Sequence, residues 1–189
     1  MHPDITQVVL SEEVLQQRIR EMGATISADY QGESVVAICV MKGAIFFTTD
    51  LVRAIKVPLT LDFITVASYG ATTVSSGHVQ LVKDVDTDLQ GRHVLIIEDI
   101  LDSGRTLSYL IKHLAAMGPA SLKVCTLLDK PERREYPVNV DYFGFTIPDV
   151  FVVGYGLDYD QLYRELPFIG ELKPAVYAKP SEQETLVSP

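Results

Sequence analysis

Three stretches of this 189-residue chain, SVVAICV (34–40), HVLIIED (93–99) and SLKVCTLL (121–128), carry almost unbroken apolar runs. A strand with one face in water alternates apolar and polar residues, whereas a continuous run belongs to a strand covered on both faces, as in a parallel sheet between layers of helices. Helix-periodic segments lie between the runs. Residues 11–26 place Val14, Leu15, Ile19, Met22 and Ile26 on one face, with Ser11 as N-cap and Glu12 and Glu13 in the first turn. Residues 43–55 and about 104–117 read as two more helices, and 59–68 and 150–155 as two more strands. The alternation predicts an α/β domain over residues 1–178, built on a mainly parallel, twisted sheet flanked by helices, with the polar, proline-flanked 179–189 as a loosely held tail.

Ligands of such sheets bind at the carboxyl ends of the strands. The segments there are MKG (41–43), SYG (68–70), EDILDSGRT (98–106), DKPERR (129–134) and GYGLDYD (154–160). In the third, the small residues of Asp102-Ser103-Gly104-Arg105-Thr106 permit a tight turn at a helix N-terminus, where successive N–H groups and two hydroxyls form a cradle for a phosphate monoester. It is not a Walker loop, since no G-x-x-x-x-G-K-[ST] occurs. Asp102 is also placed to cap that helix. Glu98 and Asp99 would repel each other and any phosphate unless a sugar diol or a divalent cation binds them.

Composition narrows the possibilities. Hydrophobic content of 47% with 22% charged residues fits one globular domain. The net charge of -9, from 16 basic against 25 acidic residues, excludes general attraction to nucleic acid or an anionic membrane. No run approaches the ~20 apolar residues of a membrane span and the N-terminus carries no export pattern, so a soluble cytoplasmic protein is expected. Cys39 and Cys125, both in apolar strands, read as reduced buried thiols.

The stretch VLIIEDILDSGRTL (94–107) resembles the phosphoribosyl-pyrophosphate signature of type I phosphoribosyltransferases. VMKGAIFF, the SYG pair, LLDKPERR and PDVFVVGYGLDYDQLYREL resemble, in the same order, the remaining active-site segments of the hypoxanthine-guanine members of that family. The resemblance covers about residues 35–172. It implies the type I fold, with a small hood from the terminal segments and a mobile loop that closes over the site through Ser68 and Tyr69.

The implied reaction is magnesium-dependent displacement of pyrophosphate from C1 of phosphoribosyl pyrophosphate by a 6-oxopurine. By that resemblance Glu98 and Asp99 take the ribose hydroxyls and Asp102 is the proton acceptor for purine N7. Ser103, Gly104, Arg105 and Thr106, with Asp102, hold the phosphate, and Lys42, Gly43 and Arg164 the pyrophosphate. Lys130 donates to purine O6, Phe151 stacks on the base, Val152 and Asp158 adjoin it, and Glu98, Asp99 and Asp158 attend the metal. Homodimer or homotetramer assembly is implied as well. Burial statistics alone would make Phe151 a core residue, and Lys130 alone would read as a solvated turn. Two other readings remain open: a regulator that has kept the fold without catalysis, and a sister enzyme preferring xanthine. A phosphatase is disfavoured, since no nucleophile arrangement is identifiable.

Overall fold

The computed structural model describes residues 2–68 and 79–178. The expectations for Tyr69, for the closing loop through residue 78, for the Ser68 side chain and for the 179–189 tail lie outside the described residues. In chain order the elements are β1 (Ile5–Leu10), α1 (Glu12–Asp29), β2 (Val35–Met41), α2 (Ile45–Ala54), β3 (Leu59–Ser68), β4 (Val79–Lys83) and β5 (His93–Leu101). There follow α3 (Arg105–Ala115), β6 (Ser121–Asp129), a single 3-10 turn (Pro131–Arg133), β7 (Tyr142–Thr146), β8 (Val152–Val153), β9 (Ile169–Leu172) and α4 (Pro174–Tyr177).

The main sheet has six strands in the order β4-β3-β2-β5-β6-β7. All neighbours are parallel except the edge strand β4, which is antiparallel to β3. The apolar runs are continuous because successive side chains enter two different cores. Val35, Ala37, Leu95, Ile97, Cys125 and Leu127 pack with Leu15, Ile19, Met22 and Ile26 of α1 and Phe47 and Leu51 of α2. Val36, Ile38, Val94, Ile96 and Val124 pack with Leu107, Leu110 and Leu114 of α3. Both cysteines are free and buried.

Ser11 caps α1, its hydroxyl accepting from the Val14 N–H. Val14 itself is 47% exposed, one position off the buried stripe that begins at Leu15, so its placement on the apolar face is corrected. A second correction concerns residues 150–155. Only Val152–Val153 form a strand there, and it belongs to a small antiparallel sheet, β1-β9-β8, rather than to the parallel one. That small sheet, made from both ends of the described chain, is the expected hood. The parallel sheet instead gains β7, whose alternating, half-exposed pattern gives no strong apolar run.

Strand order fixes where a ligand can go. From β2 the chain steps one way to β3 and later the other way to β5, so the adjacent carboxyl ends of β2 and β5 flank the crevice at the switch point. No helix among the described residues is long and apolar enough to cross a membrane.

Asp62, 5% exposed on β3, ties the segment after β4 to the sheet. Its carboxylate accepts N–H groups from Phe63 (2.7 Å), Asp86 (2.9 Å) and Thr87 (2.8 Å). Burial pushes this carboxyl up, but hydrogen bonds from Thr87, Phe63 and Asp86 together hold it below its ordinary value. Asp62→Ala should cost about 3 kcal/mol at neutral pH by leaving those donors without an acceptor. Since folding lowers the pKa, the carboxylate's contribution is complete above 3.8 and is lost as pH falls below it through the folded-state value. Denaturant melts of wild type and variant should therefore differ near neutrality and draw together in strong acid; equal stability at neutrality would remove this role.

Candidate active site

A cleft of about 940 Å³ opens at the switch point. Its walls bring together Lys42 and Gly43 from the end of β2, Glu98 and Asp99 from β5, residues 102–106, and Asp158 and Arg164 from the turn after β8. Lys130, Phe151 and Val152 are not in that lining and form a neighbouring group.

β5 continues to Leu101, paired with Asp129 of β6, so the two acids sit within the strand rather than after it. Glu98 is 7% exposed. Burial first, and then the Asp99 charge, push its carboxyl well above the usual range. Burial also raises Asp99, opposed by its own backbone hydrogen bonds and by Arg164. The Asp99 N–H donates to Glu98 Oε1 (3.2 Å) and the Ile100 N–H to Asp99 Oδ1 (2.8 Å). Gly43 packs directly on the Asp99 carboxylate, in the space a Cβ would need. Glycine here lets the end of β2 reach the acids.

The 102–106 loop owes its orientation to its carbonyls. Lys130 N–H donates to Leu101 O, Arg134 Nε to Asp102 O, and the N–H groups of Glu135 and Tyr136 both to Ser103 O. With its carbonyls tied to the 130–136 segment, the loop turns at Gly104 (φ +84°), the N-cap of α3, whose 11 residues follow. A Cβ at Gly104 would run into Tyr136 O, so both the conformation and the packing call for glycine. The expectation that Asp102 caps α3 is corrected: the cap is Gly104, without a side-chain bond. The Asp102 carboxylate instead pairs with Arg133 Nε at 3.0 Å. Arg105 pairs with Glu135 (3.2 Å) through its side chain, which lies over the Tyr136 ring. Its backbone remains part of the helix N-terminus, with the N–H 3.4 Å from Ser103 Oγ.

On the opposite wall the Met41–Lys42 peptide is cis. Lys42 Nζ donates to Gln161 Oε1 (3.2 Å). Arg164 Nη1 donates to Gly156 O (2.6 Å), and its Nη2 pairs with Asp158 Oδ1 (2.8 Å). Asp158 Oδ2 accepts the Gln161 N–H (2.8 Å). Gln161, with a left-handed backbone (φ 67°), thus joins both cations, a position that no sequence signal marked.

In the neighbouring group Lys130 is 5% exposed, not solvated. Its Nζ donates to Val150 O (2.7 Å) and lies 3.7 Å from Asp149. Burial lowers its pKa, opposed by the charges of Asp102 and Asp149. Arg133 links this group to the cleft, reaching Asp149 (3.5 Å) as well as Asp102. Phe151, which burial statistics would place in a core, is 38% exposed. Val152 is buried, paired with Glu171 of β9.

Among the described residues no three His, Cys, Asp or Glu side chains gather as a metal-binding cluster, so Glu98, Asp99 and Asp158 do not form a common cage. Adjacent hard oxygen donors facing a cleft nonetheless fit magnesium, which keeps several waters and takes one or two carboxylates along with substrate phosphates.

Comparison with known proteins agrees with this geometry. Residues 9–160 match the phosphoribosyl transferase domain family. The hypoxanthine-guanine phosphoribosyltransferase of Bacillus subtilis is 51% identical over 94% of this chain and 98% of its own. That of Mycobacterium tuberculosis (strain H37Rv) is 51% identical over 92% of this chain and 89% of its own. A crystal structure of a Staphylococcus aureus hypoxanthine phosphoribosyltransferase superposes with TM-score 0.90 at 46% identity, covering 95% of this chain and 97% of that one. With fold, cleft and sequence all in agreement over nearly its whole length, the chain belongs to the hypoxanthine-guanine phosphoribosyltransferase family.

Proposed function

We propose that the protein transfers the 5-phosphoribosyl group of phosphoribosyl pyrophosphate to N9 of hypoxanthine or guanine, releasing pyrophosphate, as a step of purine salvage. The observation that carries this reading is the joining, in one cleft, of the N-terminus of α3 with two adjacent carboxyl groups, Glu98 buried and Asp99 partly buried, that have no cation at ion-pair distance among the described residues. The first takes a phosphate monoester; the second calls for hydroxyl donors or a metal.

In this mechanism the 5-phosphate rests on the N–H groups and hydroxyls of Ser103, Gly104, Arg105 and Thr106, while Glu98 and Asp99 hold the ribose hydroxyls. Fixing the sugar leaves C1 exposed to attack from the base side, and the nearby carboxylates favour the positive charge that develops on the ring. Lys42, the Gly43 backbone and Arg164 receive the departing pyrophosphate. Glu98, Asp99 and Asp158, directly or through water, would hold magnesium, whose charge would offset that of the leaving group. Asp102 accepts the purine N7 proton as N9 bonds to C1, exchanging its Arg133 partner for the base. Phe151 offers its exposed ring to the purine, with Val152 and Asp158 alongside, and Lys130 donates to O6. Closure by Ser68 and Tyr69, homodimer or homotetramer assembly and a cytoplasmic setting belong to the same proposal. The two free, buried cysteines accord with a reducing compartment.

An ultraviolet assay with phosphoribosyl pyrophosphate, magnesium and each of hypoxanthine, guanine, xanthine and adenine tests the reading. Hypoxanthine and guanine should turn over, and chelation of magnesium should abolish the rate. An ammonium held in a dry site faces a second donor when the base carries a 6-amino group, so adenine should be disfavoured at least about 1000-fold in kcat/KM. Lys130→Gln, whose amide can donate or accept, should narrow that ratio chiefly by lowering the rate with hypoxanthine; an unchanged ratio would exclude Lys130 from reading O6. Asp102→Ala should lower kcat about 100-fold with little change in phosphoribosyl-pyrophosphate binding. Full turnover by that variant would remove the proton-acceptor role.

A further inference from the structure

Phe151 does not stand alone. Its ring stacks on Tyr177, with centroids 4.9 Å apart and planes 22° from parallel. Tyr159 meets both rings edge-on, at 5.7 Å from Phe151 and 6.5 Å from Tyr177. Offset stacking and edge-to-face contact are the two preferred aromatic geometries, so the three rings form one self-consistent cluster.

Backbone ties place the Phe151 segment between the main sheet and the hood, and Tyr177 belongs to the hood. On one flank of Phe151, the Val150 carbonyl accepts from Lys130 Nζ, on the side of the main sheet. On the other, the Phe151 carbonyl accepts the Leu172 N–H of β9, on the side of the hood. Tyr177 follows five residues after Leu172, in the short helix α4, and reaches the ring from the hood side. Its own position is fixed. Lys173, which precedes α4, donates its N–H to Asp4 O and its ammonium to Pro3 O. Val176 and Tyr177 pack on the hood core of Ile5, Val153, Tyr163 and Leu172.

We propose that Tyr177 is a positioning residue for the purine: it backs Phe151 from the hood, holding the ring as a flat platform whose remaining face, on the Lys130 side, receives the base. This deepens the reading of Phe151 under the proposed function and rests on it. A lone exposed phenylalanine would rotate about its side-chain bonds and lose that freedom when a base bound. The Tyr177 ring removes the freedom beforehand, so less is lost on binding.

Steady-state kinetics of Tyr177→Ala and Tyr177→Phe, together with calorimetric binding of inosine monophosphate without pyrophosphate, would test this. Tyr177→Ala should raise KM for hypoxanthine about fivefold to tenfold, as expected for loss of one aromatic pair, and weaken inosine monophosphate similarly. KM for phosphoribosyl pyrophosphate should stay within about twofold, and Tyr177→Phe, which keeps the ring, should restore the wild-type values. An unchanged KM for the base, or a lowered one, would overturn the inference; the second would mean that Tyr177 occupies the base's own face. Parallel rises in both KM values with a lower melting temperature would also overturn it, by reducing Tyr177 to a structural role. A wild type that neither turns over nor binds 6-oxopurines would overturn the proposed function and this inference together, whereas an active wild type with an indifferent Tyr177→Ala would overturn this inference alone.

Discussion

Two adjacent carboxyl groups, Glu98 buried and Asp99 partly buried, are the constraint around which the cleft is arranged. Glu98 and Asp99 occupy the inner end of a central strand, and among the described residues neither has a cation within ion-pair distance. Taking a carboxylate out of water costs several kcal/mol unless something replaces the lost hydration. Backbone N–H groups of Asp99 and Ile100 replace part of it, and the positive charge of Arg164 favours the ionised form of Asp99. The remainder is left to a ligand. The switch in strand order that sets β2 beside β5, and the missing side chain at Gly43, keep the pair accessible from the crevice. On the proposed function, that electrostatic deficit in the free protein is available as affinity for a diol or a hard cation.

The cations of the cleft follow the opposite rule, in that each is already engaged. Lys42 is held by Gln161, Arg164 by Asp158 and the Gly156 carbonyl, and Arg133 by Asp102 and Asp149. Ion pairs so exposed add little to stability, but they keep long side chains pointed into a small volume in advance of any anion. A chain of net charge -9 thus keeps a local group of cations at one cleft, the group that the proposed function assigns to phosphates.

The elements that could be read from sequence are those with the greatest burial. Strands β2, β5 and β6 announce themselves because both faces are covered, and β3 ends where predicted. By contrast β1, β7, β8 and β9 are short, or half-exposed, and β1 pairs with β9 from the far end of the described chain, so no local period marks them. Site residues divide in the same way. Glycines and acids near strand ends are set by local geometry and were legible. The direction of the Arg105 side chain was not, because Glu135, thirty residues on, decides where its guanidinium goes. Nor was the burial of Lys130, which depends on the Val150 carbonyl, or the exposure of Phe151, which burial statistics misplace. Gly104 displaced Asp102 as the cap of α3 because the turn's positive φ and its contact with Tyr136 outweigh a side-chain hydrogen bond.

The hood has a consequence for the order in which the protein can be made. β1 finds its partner in β9, with Ile5 opposite Leu172, so of the described strands the first in sequence must wait for the last. The strands of the main sheet are complete at Thr146 and can pair before the hood segments do, although Val152, Tyr155, Leu157 and Ile169 later join its core. A chain stopped at Thr146 would carry Glu98, Asp99 and the 102–106 loop without Phe151, Asp158 or Arg164, so the wall that the last two residues give the cleft would be the last part of it to arrive.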